Sequence, residues 1–360
     1  MMRTHSHRDT TAGATWYAGD FHAHTTASDG RHTPAELARL AQAAGLDFLS
    51  ITDHNTLAGF DALGEPLPLP IVRGIEVTLA GGHFNILGIE GVPPWLASLQ
   101  QQRVRTTGSG QRESERPTLS EIMKSSRASG WLVSINHPLL VPWAWEHLEL
   151  PLDQIDCLEI WNDPTWPDNA TANPATVDMW SRWLNAGHRI VALGGSDYHY
   201  TITEQGPYHP AIDLPRTWVL AERLSAGAIL EGVRHGRVYV SMEPGIAFQA
   251  HLGDHTYTIG DDMGRARGRV TFQADVRSGC AEIEIVIIRD GQPLCRQLSG
   301  RGESRLSCHD ELDGSRAWYR CDVRDGNGTI LAVTNPIFAG AWPPPATHTF
   351  RDFLPGTGSD

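Results

Sequence analysis

The sequence predicts an α/β fold, with strands and helices alternating around a largely parallel sheet or barrel, followed by a small antiparallel β-sandwich. Three observations carry this reading. From Trp16 to about Met242, short β-branched or aromatic runs alternate with helical stretches, which is the grammar of βα units. After Glu243-Pro244-Gly245 the texture changes to short alternating runs separated by turn signals, without a helix. Finally, 360 residues of which 40% are apolar and 20% charged fit one large domain plus a smaller one and exclude wholesale disorder. The expected division is a loose tail over 1–14, the barrel over 15–243, the β-sandwich over 244–341 and a Pro/Gly-rich tail over 342–360.

In the first part, strands are expected at Tyr17–His22, Phe48–Ile51, Ile71–Thr78, Phe84–Ile89, Trp131–Ile135, Cys157–Trp161, Ile190–Leu193, Thr217–Leu220 and Val238–Ser241. Helices are expected over 34–44, 118–129, 174–186 and 224–235. The first of these starts with Thr33 as N-cap, Pro34 in the first turn and Glu36 three residues after the cap, and it stops before Gly45. Residues 101–117 read as a polar surface insertion. Residues 138–173, rich in Pro and Trp, read as a long ordered loop of the kind that usually serves function. In the second part, strands are expected at Ile246–Leu252, Val270–Val276, Ala281–Ile288, Ala317–Val323 and Thr329–Val333, with turns at Asp290-Gly291 and over 325–328.

Composition narrows the function. Lys plus Arg is 29 against 42 Asp plus Glu, a net charge of −13, so neither stable nucleic-acid binding nor an anionic membrane surface is expected. No apolar run is long enough to cross a bilayer, and the N-terminus has no signal-like apolar stretch. Lys124 is the only lysine, which excludes a GK[ST] phosphate loop. The five cysteines are widely spaced and read as thiols of a reducing cytoplasm, with room for one disulfide in the last third.

The chemistry lies in 17 histidines and where they fall. His22 and His24, at i and i+2, share one face at the end of the first strand. Asp29 follows in a Ser-Asp-Gly loop. His54 lies just past the second strand, within Thr52-Asp53-His54-Asn55. Glu76 sits inside the apolar third strand, where an unpaired carboxylate is costly. His83 opens the fourth strand, His137 follows the fifth, and Asp197 and His199 follow the seventh. In a parallel barrel such strand ends converge on one mouth. The nine groups His22, His24, Asp29, His54, Glu76, His83, His137, Asp197 and His199 exceed the needs of one four-coordinate ion, so two or three divalent ions are expected. Mixed imidazole and carboxylate ligation suits Zn, Mn or Fe.

This order of motifs resembles the PHP family, named from polymerase and histidinol phosphatase. The pieces are His22-Ala23-His24, Ser28-Asp29-Gly30, Thr52-Asp53-His54, Gly74-Ile75-Glu76, His83, Asn136-His137-Pro138 and Gly195-Ser196-Asp197-Tyr198-His199, spanning most of residues 16–242. Gly82-His83-Phe84-Asn85, Glu159-Ile160-Trp161-Asn162 and the trailing β-domain ending Thr334-Asn335-Pro336 are similar to the CehA/McbA-type metallohydrolase branch. The resemblance implies a distorted seven-stranded, TIM-like β/α barrel with a di- or trinuclear centre. It places His22, His24, Glu76 and Asp197 around one ion, with Glu76 bridging to a second ion held by His137 and His83. Asp29, His54 and His199 would hold a third, and Asp29 stands where some relatives carry His.

The expected activity is hydrolysis of a phosphoester, nucleotides included, by hydroxide held between the ions. The alternatives are a carbamate or aryl ester hydrolase on the same centre, and a non-catalytic metal-binding or interaction protein. Asp197 and His199 serve the chemistry as ligands. His199 or Asp53 is the candidate proton shuttle, and Asp53 is also a candidate to orient a ligand imidazole. Ser196 reads as a turn residue. Asn55, Asn136, Trp161, Asn162 and Tyr198 are candidates to meet a small-molecule ester. Trp143, Trp145, Trp161 and Trp166 would wall an apolar pocket, and Arg103, Arg105, Arg112 and Arg116 could reach a phosphate from the insertion, whereas Arg73 faces away. A homo-oligomer is allowed.

Overall fold

The computed structural model describes residues 13–64, 66–103, 117–199 and 211–354. Most of the N-terminal tail, residues 104–116 of the insertion (with Arg105, Arg112 and Arg116) and the last six residues of the C-terminal tail lie outside them.

The first part contains strands β1 (Thr15–Asp20), β2 (Phe48–Ile51), β3 (Ile71–Leu79), β4 (Gly82–Leu87), β5 (Leu132–Ile135), β6 (Cys157–Asn162), β7 (Val191–Gly195), β8 (Arg216–Ala221) and β9 (Val238–Ser241). Its helices are α1 (Pro34–Ala43), α2 (Ala58–Asp61), α3 (Leu96–Arg103), α4 (Leu119–Ala128), α5 (Asn169–Asn185) and α6 (Ala226–Arg234). Thr33 caps α1 and Thr118 caps α4 through reciprocal capping boxes with Glu36 and Glu121. Helix α5 starts five residues before the expected proline start. Pro174 lies inside it, at the cost of one helical rung, and the loop after β6 is correspondingly shorter.

The strands run in the order β9-β8-β1-β2-β3-β4-β5-β6-β7. Their directions are mixed, where a largely parallel arrangement was expected. β1, β2 and β3 are parallel, as are β5, β6 and β7. The β3–β4–β5 steps and the β1–β8–β9 steps are antiparallel. Only three residues separate the end of β3 from β4's second residue, so β4 returns as a hairpin and no crossover helix intervenes. The sheet curls until β7 lies beside β8 and β9. There side chains replace ladder bonds: Thr217 Oγ1 accepts from Gly194 N–H at 2.9 Å and donates to Gly194 O at 2.8 Å.

The second part is all β. One sheet has the order β11 (His255–Thr258), β10 (Gly245–Leu252), β12 (Arg267–Ser278), β15 (Gly302–Asp313). The other comprises β14 (Gln292–Ser299), β13 (Ile283–Arg289), β16 (Ala317–Asp325) and β17 (Ile330–Thr334), with β18 (Ile337–Ala339) on β16. Inward residues of both, among them Phe248, Phe272, Ile285, Tyr319 and Cys321, form one core. β17 also pairs with β9, so the larger sheet continues into the first part. β11, β14, β15 and β18 were not expected. β14 and β15 expose alternate polar residues and lack the apolar density that marks a strand. Cys295 on β14 and Cys308 on β15 form a disulfide, whereas Cys157, Cys280 and Cys321 are free. No helix among the described residues is long and apolar enough to cross a membrane.

Candidate metal centre

Most candidate ligands lie near a strand end; Glu76 lies inside β3 and Asp29 in the loop that follows β1. Beyond β1, Ala23 bridges to Tyr198 in parallel, and His24 N–H donates to Tyr198 O at 3.0 Å. This sets the 22–24 and 197–199 segments side by side. His54 bridges to Glu76 in the same way, as β2 runs out beside β3. Three residues at the site have positive φ: Asn55 at 53°, His137 at 28° and Asp197 at 51°. Such conformations cost about 1–3 kcal/mol each and persist where the surroundings impose them.

Glu76 is the hub. It is fully buried, and five imidazoles surround its carboxylate. Oε1 lies 3.2 Å from His22 Nε2, 3.3 Å from His83 Nδ1 and 3.5 Å from His137 Nε2. Oε2 lies 2.7 Å from His54 Nδ1 and 3.4 Å from His24 Nε2. Asp197 Oδ1 is 3.2 Å from both His22 Nε2 and His24 Nε2. On the solvent side, half-exposed Asp29 approaches His54 Nε2 and His199 Nε2, each at 3.5 Å, and His24 Nδ1 at 3.8 Å. Three overlapping groups result: His22, His24, Glu76 and Asp197; His24, Asp29, His54 and His199; and His54, Glu76 and His83. His137 joins through Glu76. The structure thus brings all nine candidate ligands together.

The donor set fits divalent cations. His22 Nε2, His24 Nε2 and Asp197 Oδ1 are buried without a hydrogen-bond partner, a costly arrangement for polar atoms unless an ion satisfies them. Without an ion, and against the opposing effect of burial, the acids of the site draw protons onto His22, His54 and His137 instead. Burial, then His199 and His54, lowers His24 to about 3, which favours the neutral imidazole with one ring nitrogen free to bind an ion. Burial raises the carboxyls of Glu76 and Asp197, but the surrounding imidazoles outweigh it and hold both well below the usual carboxylate range. Burial opposes charging of His54 too, yet Glu76 and Asp29 bring it up to about 9.

Other candidates are placed differently. Asp53 does not face the cluster. Its oxygens accept from Thr25 N–H at 2.7 Å, Thr25 Oγ1 at 2.8 Å and Ser28 Oγ at 2.7 Å, which leaves it fixing the loop that carries Asp29 and makes it unsuited to shuttle protons. Asn136 Nδ2 donates to Glu76 Oε1 at 2.8 Å and so orients the hub. Asn55 is occupied with the backbone of Thr78. Tyr198 is buried against His32. Trp161 turns away because a register shift between Glu159 and Trp161 breaks the alternation of β6. It lines a separate cavity with Pro174, Val177 and Ile330, while Asn162 faces Asp197 at 3.4 Å. The tryptophan wall divides: Trp145 packs into the core against Phe84 and Phe350, and Trp143 pairs with Trp166 at a ring separation of 5.6 Å. Ser196 donates its hydroxyl to Asp20. Arg73 points to Asp61 and Gly91 O.

Two buried acids were missed. Asp20 accepts from the N–H groups of His22 and Ser196, and burial raises it to about 7. Glu159 accepts from His22 Nδ1 at 2.8 Å. A sequence signal existed for both: Asp20 ends a strand two residues before His22, and Glu159 opens the Glu159-Ile160-Trp161-Asn162 motif, with no role of its own expected.

A solved two-domain protein from Bacteroides vulgatus, described as containing a predicted PHP-like metal-dependent phosphoesterase, superposes over 94% of this chain and 99% of its own, with a TM-score of 0.51 and 16% identity. The fold is PHP-like. Among curated proteins, a 5'-3' exoribonuclease of Haemophilus influenzae is 34% identical over 92 residues, 23% of this chain and 34% of that protein. A phosphoribosyl 1,2-cyclic phosphate 1,2-diphosphodiesterase of Eggerthella lenta is 39% identical over 84 residues, 21% of this chain and 32% of that protein. A 3',5'-nucleoside bisphosphate phosphatase of Chromobacterium violaceum is 33% identical over 86 residues, 22% of this chain and 30% of that protein. The chain therefore spans about a third of the length of the curated relatives it matches. No family model matches it.

Proposed function

We propose that the protein is a PHP-type metal-dependent hydrolase, of the CehA/McbA-like branch, that cleaves a small phosphoester. The observation that carries this is the sharing of Glu76 among overlapping ligand groups, which suits two or three adjacent ions better than one. Bound divalent ions would lower the pKa of a shared water toward neutrality and neutralise charge developing on the substrate. The protein's own part is to hold the ligands. Glu76, fully buried, and Asp197, partly exposed, supply negative charge to the site, and Asn136 keeps the Glu76 carboxylate turned. With two ions bound, His199, partly exposed on the rim beside Asp29, would pass a proton from Nε2 to a leaving group; with a third ion it would be a ligand instead. Three of the similar proteins act, by their names, on nucleotide-like phosphoesters or RNA, which favours phosphorus over carbon as the centre attacked. The substrate we favour is a small nucleotide-like ester; the net charge of −13 disfavours long nucleic acids.

A second reading, an aryl ester or carbamate, is favoured by one observation. Trp143 and Trp166 stack edge to face on the loops that follow His137 and Asn162, and Trp143 is 40% exposed. The test is turnover by metal-supplied protein of p-nitrophenyl phosphate, bis-p-nitrophenyl phosphate and 1-naphthyl N-methylcarbamate. Hydrolysis of a phosphate that a chelator abolishes supports the main reading. Hydrolysis of the carbamate alone supports the second, and a silent panel with every metal rejects both.

A further inference from the structure

Glu159 lies on β6, is 3% exposed, and belongs to none of the three ligand groups. Its two oxygens nevertheless reach both sides of the centre. Oε1 accepts from His22 Nδ1–H at 2.8 Å. Oε2 accepts from the backbone N–H of His137 at 2.8 Å and from Asn162 Nδ2 at 3.2 Å. With its Nδ1 proton committed to Glu159, His22 turns Nε2 toward Glu76 Oε1 and Asp197 Oδ1, where a bound ion would take its lone pair. The bond to His137 N–H is made where the backbone takes its positive φ of 28°, directly before Pro138. One carboxylate thus fixes the tautomer of one candidate ligand and the backbone of another, and the two rings stack with centroids 5.9 Å apart.

Gly195 gives an independent sign that the pair is built in. A Cβ there would collide with His22 Cβ and come within 2.5 Å of Glu159 Oε1, so β7 leaves room for this contact only by lacking a side chain. Asn162, brought inward by the register shift in β6, closes the set by donating to both Glu159 and Asp197.

We propose that Glu159 is a positioning residue that sets the spacing between two metal positions by tying His22 and His137 to a single carboxylate. The inference rests on the metal-centre reading above and adds a residue that touches no ion. Glutamine has the same shape but only one acceptor oxygen. In Glu159→Gln, either His22 Nδ1–H or His137 N–H therefore faces an amide N–H instead of an acceptor.

The test uses the full chain loaded with zinc or manganese. Metal content is counted by elemental analysis after dialysis, affinity is measured by calorimetric titration of the metal-free protein, and melting is followed without metal. The expected result for Glu159→Gln is a 10–100-fold loss of affinity for at least one ion, the usual effect of losing such a partner, with a retained cooperative melt. A lower melting temperature with unchanged affinity and stoichiometry would make Glu159 merely structural and overturn the proposal. Should the variant fail to fold, nitrogen-15 imidazole spectra of the zinc-loaded wild type decide: a protonated, exchange-protected Nδ1 on His22 is expected, and an unprotonated Nδ1 refutes the proposal. If the wild type itself binds no metal, the metal-centre reading fails first, which separates the two.

Discussion

Asn335, just after β17, completes the backbone hydrogen bonding of Ala192 on β7. Its Oδ1 accepts from Ala192 N–H at 2.8 Å, and its Nδ2 donates to Ala192 O at 2.9 Å and to Val238 O on β9 at 3.0 Å. A residue of the β-rich second part thus fills the seam where the curled sheet has no ladder, five residues before Asp197. The two parts share this joint as well as the β9–β17 pairing.

Asn335→Ala should leave the N–H and C=O of Ala192 on β7 without partners, at about 1–3 kcal/mol for each, while Val238 O on β9 keeps the backbone N–H of residue 335. A chemical melt should show that loss, and metal content should fall with it, because β7 delivers Asp197. Unchanged melting would mean that the seam is held elsewhere.

His22→Ala removes a ring nitrogen that meets both Glu76 and Asp197, and Asp197→Asn removes a negative charge shared by His22 and His24. Both should abolish metal retention and hydrolysis while far-UV circular dichroism keeps its β signature. In the wild type, metal at about 100 times its dissociation constant should add about 2.7 kcal/mol of stability, and neither variant should respond fully. A variant retaining full metal content would refute its ligand assignment.

Gly195→Ala places a methyl against His22 Cβ and Glu159 Oε1. Overpacking of this kind costs about 1–3 kcal/mol. The expected outcome is weakened metal binding beyond what the stability loss explains, read by the same titration. Gly227→Ala, in open space on α6, is the control: it should leave metal binding unchanged and add up to about 1 kcal/mol of helix stability.

His188 donates to or accepts from His348 across 2.9 Å and so helps dock the C-terminal segment, with Phe350 and Phe353, onto the core. Burial first, and His348 second, lower His188 to about 4, against a smaller opposing pull from Asp153. The unfolded chain takes up this proton below about pH 6.5, the folded one only near pH 4. This contribution to stability is therefore complete above pH 6.5 and is lost as pH falls from 6.5 to 4. Denaturant melts at pH 7.5 and 4.5 should show a smaller acid loss for His188→Gln than for wild type; equal losses would exclude His188 as a source.

Most of the nine candidate ligands could be read from the sequence because they repeat one local pattern, an apolar strand followed by a His or an acid, whereas Glu76 stood out as a carboxylate inside an apolar strand and Asp29 and His83 by their place beside these motifs. The capped helices α1 and α4 were equally legible, since a capping box is written within four residues. Strand direction was not. A hairpin between β3 and β4 and a parallel crossover begin with the same apolar run, and only long-range pairing separates them. Nor was the support of the site legible. Asp53 serves a loop, Trp161 turns outward at a register shift, and Glu159 links His22 to His137, because each of these depends on which residues lie opposite after folding. Residue type and local spacing therefore determined what could bind a cation, whereas only the packed tertiary structure decided which polar groups hold those ligands in place, since a buried hydrogen bond is a relation between distant segments.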